Sequence, residues 1–243
     1  MNDSLPPSQT REPGAPDISV VVPVFNEEEN VATLQREIET ALSGRNFEIV
    51  FVDDGSRDTT AEKIQRDNHT RVLRLEKNTG QSAATYAGLK SARGDIVILM
   101  DGDLQNDPAD IPRLLEAMSQ ADLVCGYRAN RKDTAVKRAT SRIANFVRSR
   151  FTGDGVRDTG CGMKAMKREC VSAIIPFKGM HRFVPALVRG AGYHLVEVPV
   201  NHRPRQFGMS KYGLGNRAIR ATVDMFGVRW LLSRRFSYRI RPD

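Results

Sequence analysis

Two rhythms of apolar and polar positions alternate along the chain. ISVVVPVF (18–25) is a nearly continuous, β-branched apolar run, the pattern of a buried strand. In EEENVATLQREIETALSG (27–44) the apolar residues Val31, Leu34, Ile38 and Leu42 recur at a helical period. Asn26 is expected as that helix's N-cap, the acids as its first turn and Gly44 as its stop. The cycle repeats. FEIVFVDD (47–54) predicts a strand and the stretch around TTAEKIQRD (59–67) a helix; RVLRLEK (71–77) and QSAATYAGLKSARG (81–94) follow the same order. So do the strand DIVILMDGD (95–103), the helix PADIPRLLEAMSQ (108–120) and the strand ADLVCGYR (121–128). Strands alternating with helices predict an α/β fold with a mainly parallel, Rossmann-like central sheet flanked by helices, its ligands at the carboxyl ends of the strands.

Beyond Arg128 the pattern changes. RANRKDTAVKRATSRIANFVRSR (128–150) is dense in Lys and Arg. GDGVRDTGCGMKAMKREC (153–170) predicts a strand returning to the sheet and then a helix, and YHLVEVPVNHRPRQFGMSKYG (193–213) a strand running into a basic, glycine-containing loop. The tail holds an amphipathic helix with Val223, Phe226, Trp230 and Leu231 on one side and arginines elsewhere. Its stretch VDMFGVRWLLSRRF is too short and too charged to span a bilayer. It fits a helix lying in the membrane interface with Trp230 and Phe226 down, or a helix docked on protein. The expected organisation is a disordered leader over 1–17, a catalytic domain over 18–212 and a C-terminal basic amphipathic appendage over 213–243.

Charge narrows the partners. With 37 Lys+Arg against 29 Asp+Glu the formal net charge is +8, which favours polyanions: nucleic acid, anionic lipid headgroups or phosphorylated small molecules. The 3 cysteines, Cys125, Cys161 and Cys170, have no metal-ligand spacing and suit a reducing compartment. The 4 histidines are scattered, which argues against a zinc site. MNDSLPPSQTREPGAPD has no basic-then-apolar signal pattern.

Candidate chemistry collects where strands are expected to end: PVFNEEEN after the first, VDDGSRD after the second, DGDLQ after the fourth. Asp101 and Asp103 stand one residue apart at the close of an apolar run, where like charges repel unless something positive lies between them. Carboxylates and a side-chain amide, here Gln105, are ligands for a hard divalent cation that keeps positions open for phosphate oxygens. A surface turn is the simpler alternative for Asp-Gly-Asp, and a turn and helix cap for Asp53-Asp54-Gly55-Ser56.

PVFNEEEN, VDDGSRDTT, NTGQSAATYAGL, DGDLQNDP and HRPRQFGMSKYG, in this order, resemble the family 2 glycosyltransferases of the GT-A fold. Within that family they are most similar to the polyprenyl-phosphate sugar transferases, the group of dolichol-phosphate mannose synthase. The resemblance runs from about Ile18 to Lys211 and covers the tail poorly; many members continue into transmembrane helices that this chain lacks. It implies an inverting, metal-dependent transfer from a UDP- or GDP-linked sugar to polyprenyl phosphate, with Mg²⁺ or Mn²⁺. By the same resemblance Pro23, Asn26, Glu27, Asp53, Asp54, Gly55, Lys77, Gly80, Asp101, Gly102 and Ser210 bind the nucleotide sugar. Asp101, Asp103 and Gln105 hold the metal. Arg205, Gly208, Ser210 and Lys211 match the family's R-x-x-G-x-S-K loop over the phosphates, where a glycine hinge, a hydroxyl and two cations suit a diphosphate. Asp103, Arg205 and Lys211 are then the catalytic set, together with Asp158.

The acceptor decides the part played by Asp158. A phosphate monoester is already ionised near neutral pH and attacks directly, leaving Asp158 to position or cap; a saccharide hydroxyl would need it as general base. Arg128, Arg131 and Arg138 favour the phosphate acceptor, with a solvated helix face as the alternative. His181 and Arg182 either line the acceptor side or pack structurally. A lipid acceptor without a spanning helix implies a cytoplasmic protein held peripherally at the inner face of the membrane, or a separate membrane protein, and a homo-oligomer stays open. A non-enzymatic polyanion binder is the alternative of another class. It has no need of Asp-Gly-Asp at a strand end, and no nucleic-acid module or stacking platform is recognisable.

Overall fold

In a computed structural model the chain is described over residues 14–129, 148–204 and 214–236, with the backbone alone over 214–220. Seven strands form one sheet: β1 (Ile18–Val24), β2 (Phe47–Asp53), β3 (Thr70–Arg74), β4 (Ile96–Leu99), β5 (Leu123–Arg128), β6 (Lys164–Lys167) and β7 (Leu195–Val200). Their order is β3-β2-β1-β4-β6-β5-β7. β6 runs antiparallel to β4 and β5, and the other pairs are parallel. The helices are α1 (Val31–Ala41), α2 (Thr60–Lys63), α3 (Gln81–Ser91), α4 (Ile111–Ala117), α5 (Val184–Gly190) and α6 (Leu214–Ser233).

Because successive strand residues point to opposite faces, each buried run feeds two cores. Val20, Val22, Ile49, Phe51 and Ile98 pack with Leu34 and Ile38 of α1 and Leu114 of α4. Val21, Val50, Val52 and Val97 pack with Leu89 of α3, Leu187 of α5 and Val228 of α6. The sheet is therefore the middle of three layers, and its carboxyl edge is where loops are free to carry chemistry.

Several elements differ from their expected extents. Helix α1 begins at Val31 with Asn30 at the N-cap position and no acid in its first turn. Asn26 is not its cap: at φ 51 it is left-handed, and its polar groups are spent on the next loop. The helix expected over 59–67 is the single turn α2, because the Gln35 amide pairs with both the N–H and the carbonyl of Gln65 and draws that residue out of helical bonding. The helix expected after β6 is a 3₁₀ helix (Arg168–Ala173).

The antiparallel course of β6 matters for the site. An antiparallel strand enters a parallel sheet from its carboxyl edge, so residues just before β6 lie where the other strands end. The register pairs Leu99 with Lys164, which sets residues 161–163 beside the Asp101 turn.

Candidate active site

The loop after β1 and the loop after β2 are stitched together. Asn26 N–H donates to Ser56 Oγ at 2.9 Å, and Asn26 Oδ1 accepts from Arg57 N–H at 2.9 Å. Glu27 N–H donates to Thr60 Oγ1 at 2.8 Å, and its carboxylate accepts from Asn30 Nδ2 at 2.6 Å. Asp53 is fully buried. Its Oδ1 accepts from Ser56 N–H at 2.9 Å, while Oδ2 lies 3.3 Å from Arg74 Nε without a hydrogen bond. Asp54 does different work. Its two oxygens accept from Thr79 N–H (2.7 Å), Gly80 N–H (2.8 Å) and Asn78 Nδ2 (3.0 Å), so it braces the 78–80 loop from behind. Gly55, at φ 71, lets that loop approach: a Cβ there would lie 2.7 Å from Asn78 N and from the Lys77 carbonyl carbon. Gly80 then opens α3 at φ 100.

The Asp-Gly-Asp turn follows β4. Gln81 Nε2, at the start of α3, donates to Asp101 Oδ1 at 2.9 Å. On the other side the backbone of Gly162 is so near that a Cβ would lie 2.1 Å from Asp101 Oδ2. Asp103 Oδ1 accepts from Gln105 N–H at 3.2 Å, and Leu104 between them is left-handed (φ 58) and buried. Gly102 packs where a side chain would meet Val24 and the Pro23 carbonyl. Asp101, Asp103 and Gln105 are all partly exposed.

At the end of β5, Arg128 and Asp158 form a two-pronged pair. Nε donates to Oδ2 at 2.7 Å and Nη2 to Oδ1 at 2.8 Å, and Arg128 N–H adds a third bond to Oδ2 at 3.2 Å. Burial acts against the Arg128 charge, but the bonds to Asp158 outweigh it and raise its pKa. Gly160 backbone presses on the guanidinium, with a built Cβ 2.8 Å from Nη2. His181 Nδ1 shares a 2.8 Å hydrogen bond with Ser82 Oγ, and Arg182 reaches Asp224 of α6 at 3.8 Å, so both tie elements together. Arg131, Arg138, Arg205, Ser210 and Lys211 lie outside the described residues.

Gln81 and Gly162 are site residues that stand out little in the sequence. Gln81 had one available signal, its place directly after Gly80 at a helix start. For Gly162 the signal was the G-C-G spacing after Asp158.

The fold, a mainly parallel sheet with one reversed strand and acidic turns at its carboxyl edge, is that of the GT-A glycosyltransferases. Solved structures of glucosyl-3-phosphoglycerate synthase from Mycobacterium tuberculosis superpose with it. The complex with Mn²⁺, UDP and phosphoglyceric acid gives a TM-score of 0.69 at 19% identity, covering 91% of this chain and 80% of that one. The sequence pattern of glycosyl transferase family 2 matches residues 19–175, and the chain belongs to that family. Among curated relatives, an undecaprenyl-phosphate 4-deoxy-4-formamido-L-arabinose transferase of Pseudomonas paraeruginosa is 44% identical over 203 residues, which are 80% of this chain and 60% of that protein. A dodecaprenyl-phosphate galacturonate synthase of Rhizobium johnstonii is 37% identical over 238 residues, 93% of this chain and 69% of that protein. The chain thus spans 60% of the length of the first of these relatives.

Proposed function

We propose that this chain is an inverting, metal-dependent glycosyltransferase that moves a sugar from a UDP- or GDP-linked donor to polyprenyl phosphate at the inner membrane face. The observation that carries the choice of acceptor is the Arg128–Asp158 pair. With both carboxylate oxygens held by one guanidinium, Asp158 is poorly placed as a general base, which favours an acceptor that arrives already ionised. A phosphate monoester does. The curated relatives support this, since their names specify polyprenyl-phosphate products.

Asp101, Asp103 and Gln105 are hard oxygen donors in one partly exposed turn and fit Mg²⁺ or Mn²⁺. Among the described residues no group of three or more His, Cys, Asp or Glu forms a protein-only cage, and the turn leaves ligand positions to a diphosphate. When bound, such an ion supplies Lewis-acid stabilisation of the departing diphosphate.

The end of β1 at Pro23 and the loops carrying Asn26, Glu27, Gly55, Lys77 and Gly80 frame the nucleoside, with Asp54 bracing the 78–80 loop. Asp53 Oδ2, which has no hydrogen bond, is the acceptor for a base N–H once the half-exposed Arg74 moves aside. Arg205, Ser210 and Lys211 add cations and a hydroxyl to the diphosphate. Arg128, set by Asp158 and joined by Arg131 and Arg138, orients the acceptor phosphate. One of its oxygens bonds the anomeric carbon as the bond to the diphosphate breaks, and the single displacement inverts that centre.

Membrane attachment fits α6. Among the described residues no helix is long and apolar enough to cross a bilayer. Val223, Phe226 and Trp230, however, are 65%, 57% and 64% exposed along one stripe of this helix. A separate membrane protein that covers this stripe is the alternative.

The test is release of UDP or GDP by purified protein with Mn²⁺ or Mg²⁺ across a panel of nucleotide sugars, with and without undecaprenyl phosphate. Release that depends on the lipid phosphate supports the reading. No release across the panel, or equal release with a saccharide in its place, overturns it.

A further inference from the structure

The turn bearing Asp101, Asp103 and Gln105 is held from outside by the chain that leaves β7. Asn201 N–H donates to Asp110 Oδ2 at 2.6 Å, Asn106 pairs with His202 in an antiparallel bridge, and Arg203 N–H donates to the Gln105 carbonyl at 2.9 Å. The Arg203 guanidinium then spans two elements. Nη1 donates to Glu37 Oε2 of α1 and Nη2 to Asp107 Oδ1, each at 2.7 Å. Asp107 uses the same oxygen to accept from Ala109 N–H at 3.0 Å, fixing the start of the 3₁₀ helix that ends the turn.

Such a clamp has a reason to exist. Left-handed backbone is unfavourable for a non-glycine residue, and strained backbone persists only where the surroundings over-determine it. Leu104 is such a residue, its side chain buried beneath the turn. Gln81 and Gly162 hold the turn at its Asp101 end. At the Asp107 end the side-chain restraint reaching back to α1 is Arg203.

We propose that Arg203 is a positioning residue for the Asp101–Gln105 turn and thereby sets the affinity of the chain for a divalent cation bound with a nucleoside diphosphate. The inference rests on the metal reading above. Geometry and charge predict opposite signs, which makes it decisive. As a bare cation near the site, Arg203 repels a divalent ion, and its loss should tighten metal binding. As a clamp, its loss lets the turn relax, and binding weakens.

Free Mn²⁺ is read by its paramagnetic resonance signal while wild-type, Arg203→Gln and Arg203→Lys proteins are titrated in the presence of UDP and, separately, GDP. The expected result is about tenfold weaker Mn²⁺ uptake for Arg203→Gln and an intermediate value for Arg203→Lys, which keeps the charge and loses the fork. In turnover, the Mn²⁺ needed for half-maximal rate rises equally, while kcat at saturating Mn²⁺ is unchanged. Arg203 borders an open hollow of about 430 Å³, so shortening it leaves no closed void. Should Arg203→Gln still melt early, Glu37→Gln removes one arm alone and gives a smaller weakening of the same sign. Uptake by Arg203→Gln as tight as wild type or tighter, or an unshifted Glu37→Gln, overturns the inference. Wild-type protein that takes up no Mn²⁺ with either nucleotide overturns the donor reading itself.

Discussion

Asp158 shows how a side chain's neighbours decide its chemistry. A general base needs an oxygen turned toward its acceptor, and both oxygens of this carboxylate are turned onto Arg128, with side chains only 10% and 13% exposed. Asp158→Asn separates the two roles. A base would lose several orders of magnitude in kcat; a residue that only aims Arg128 loses about tenfold, chiefly in KM for the lipid phosphate. The pH profile of kcat/KM keeps its acid limb in the second case, because no titrating base has been removed. Stability falls as well, since breaking a buried pair from one side costs up to about 3–5 kcal/mol, less here because the asparagine oxygen can still accept. A lost acid limb with a large kcat defect would return Asp158 to the role of base and the acceptor to a hydroxyl.

At the scale of elements, α6 has two faces. Val228 is 2% exposed within the core shared with α5, and Leu232 lies against Gly190, while Phe226 and Trp230 face outward. Trp230→Asp should therefore abolish sedimentation with anionic vesicles and leave the melting temperature unchanged. Val228→Asp should lower the melting temperature by several degrees, burying an unpaired charge. Equal vesicle binding by Trp230→Asp and wild type would leave the stripe to a protein partner. The elements legible in the sequence were those whose pattern is local: β4 is an unbroken apolar run, β1 and β2 are apolar runs interrupted inside by only Ser19 and Glu48, and α1 repeats at 3.6. β6 (KAMK) was legible only as a returning strand, because its interior place and reversed direction come from pairing with β4 and β5, and because Lys164 is buried with Nζ on the Cys161 carbonyl. The site divides in the same way. Asp53, Asp101 and Asp103 stood out as acids at strand ends, whereas Gln81, Gly162 and Arg203 act across register that no local pattern encodes.

Over the whole molecule, the two edges of the sheet carry different burdens. The carboxyl edge holds the acidic turns. The amino edge holds Glu48, 1% exposed, which accepts from Ser19 Oγ at 2.7 Å and from the guanidinium groups of Arg71 (2.9 Å) and Arg93 (2.8 Å). Burial raises its pKa, but these bonds outweigh burial and hold it below the usual carboxylate range. A folded-state pKa below the unfolded one means that the stabilisation is complete above the unfolded value and is lost as pH falls through the folded one. Acid should therefore loosen β1, β2 and β3 at the edge remote from the site. Glu48→Gln should cost about 1–3 kcal/mol at pH 7, because Arg71 and Arg93 are partly exposed and can turn to water. It should also flatten the dependence of urea midpoint on pH below the carboxylate range. KM for the nucleotide sugar should stay at the wild-type value, since among the described residues the Glu48 partners Ser19, Arg71 and Arg93 all lie at the amino edge. A variant with an unaltered acid slope would move the source of acid lability elsewhere, and one with a raised KM would join the two edges into a single mechanical unit.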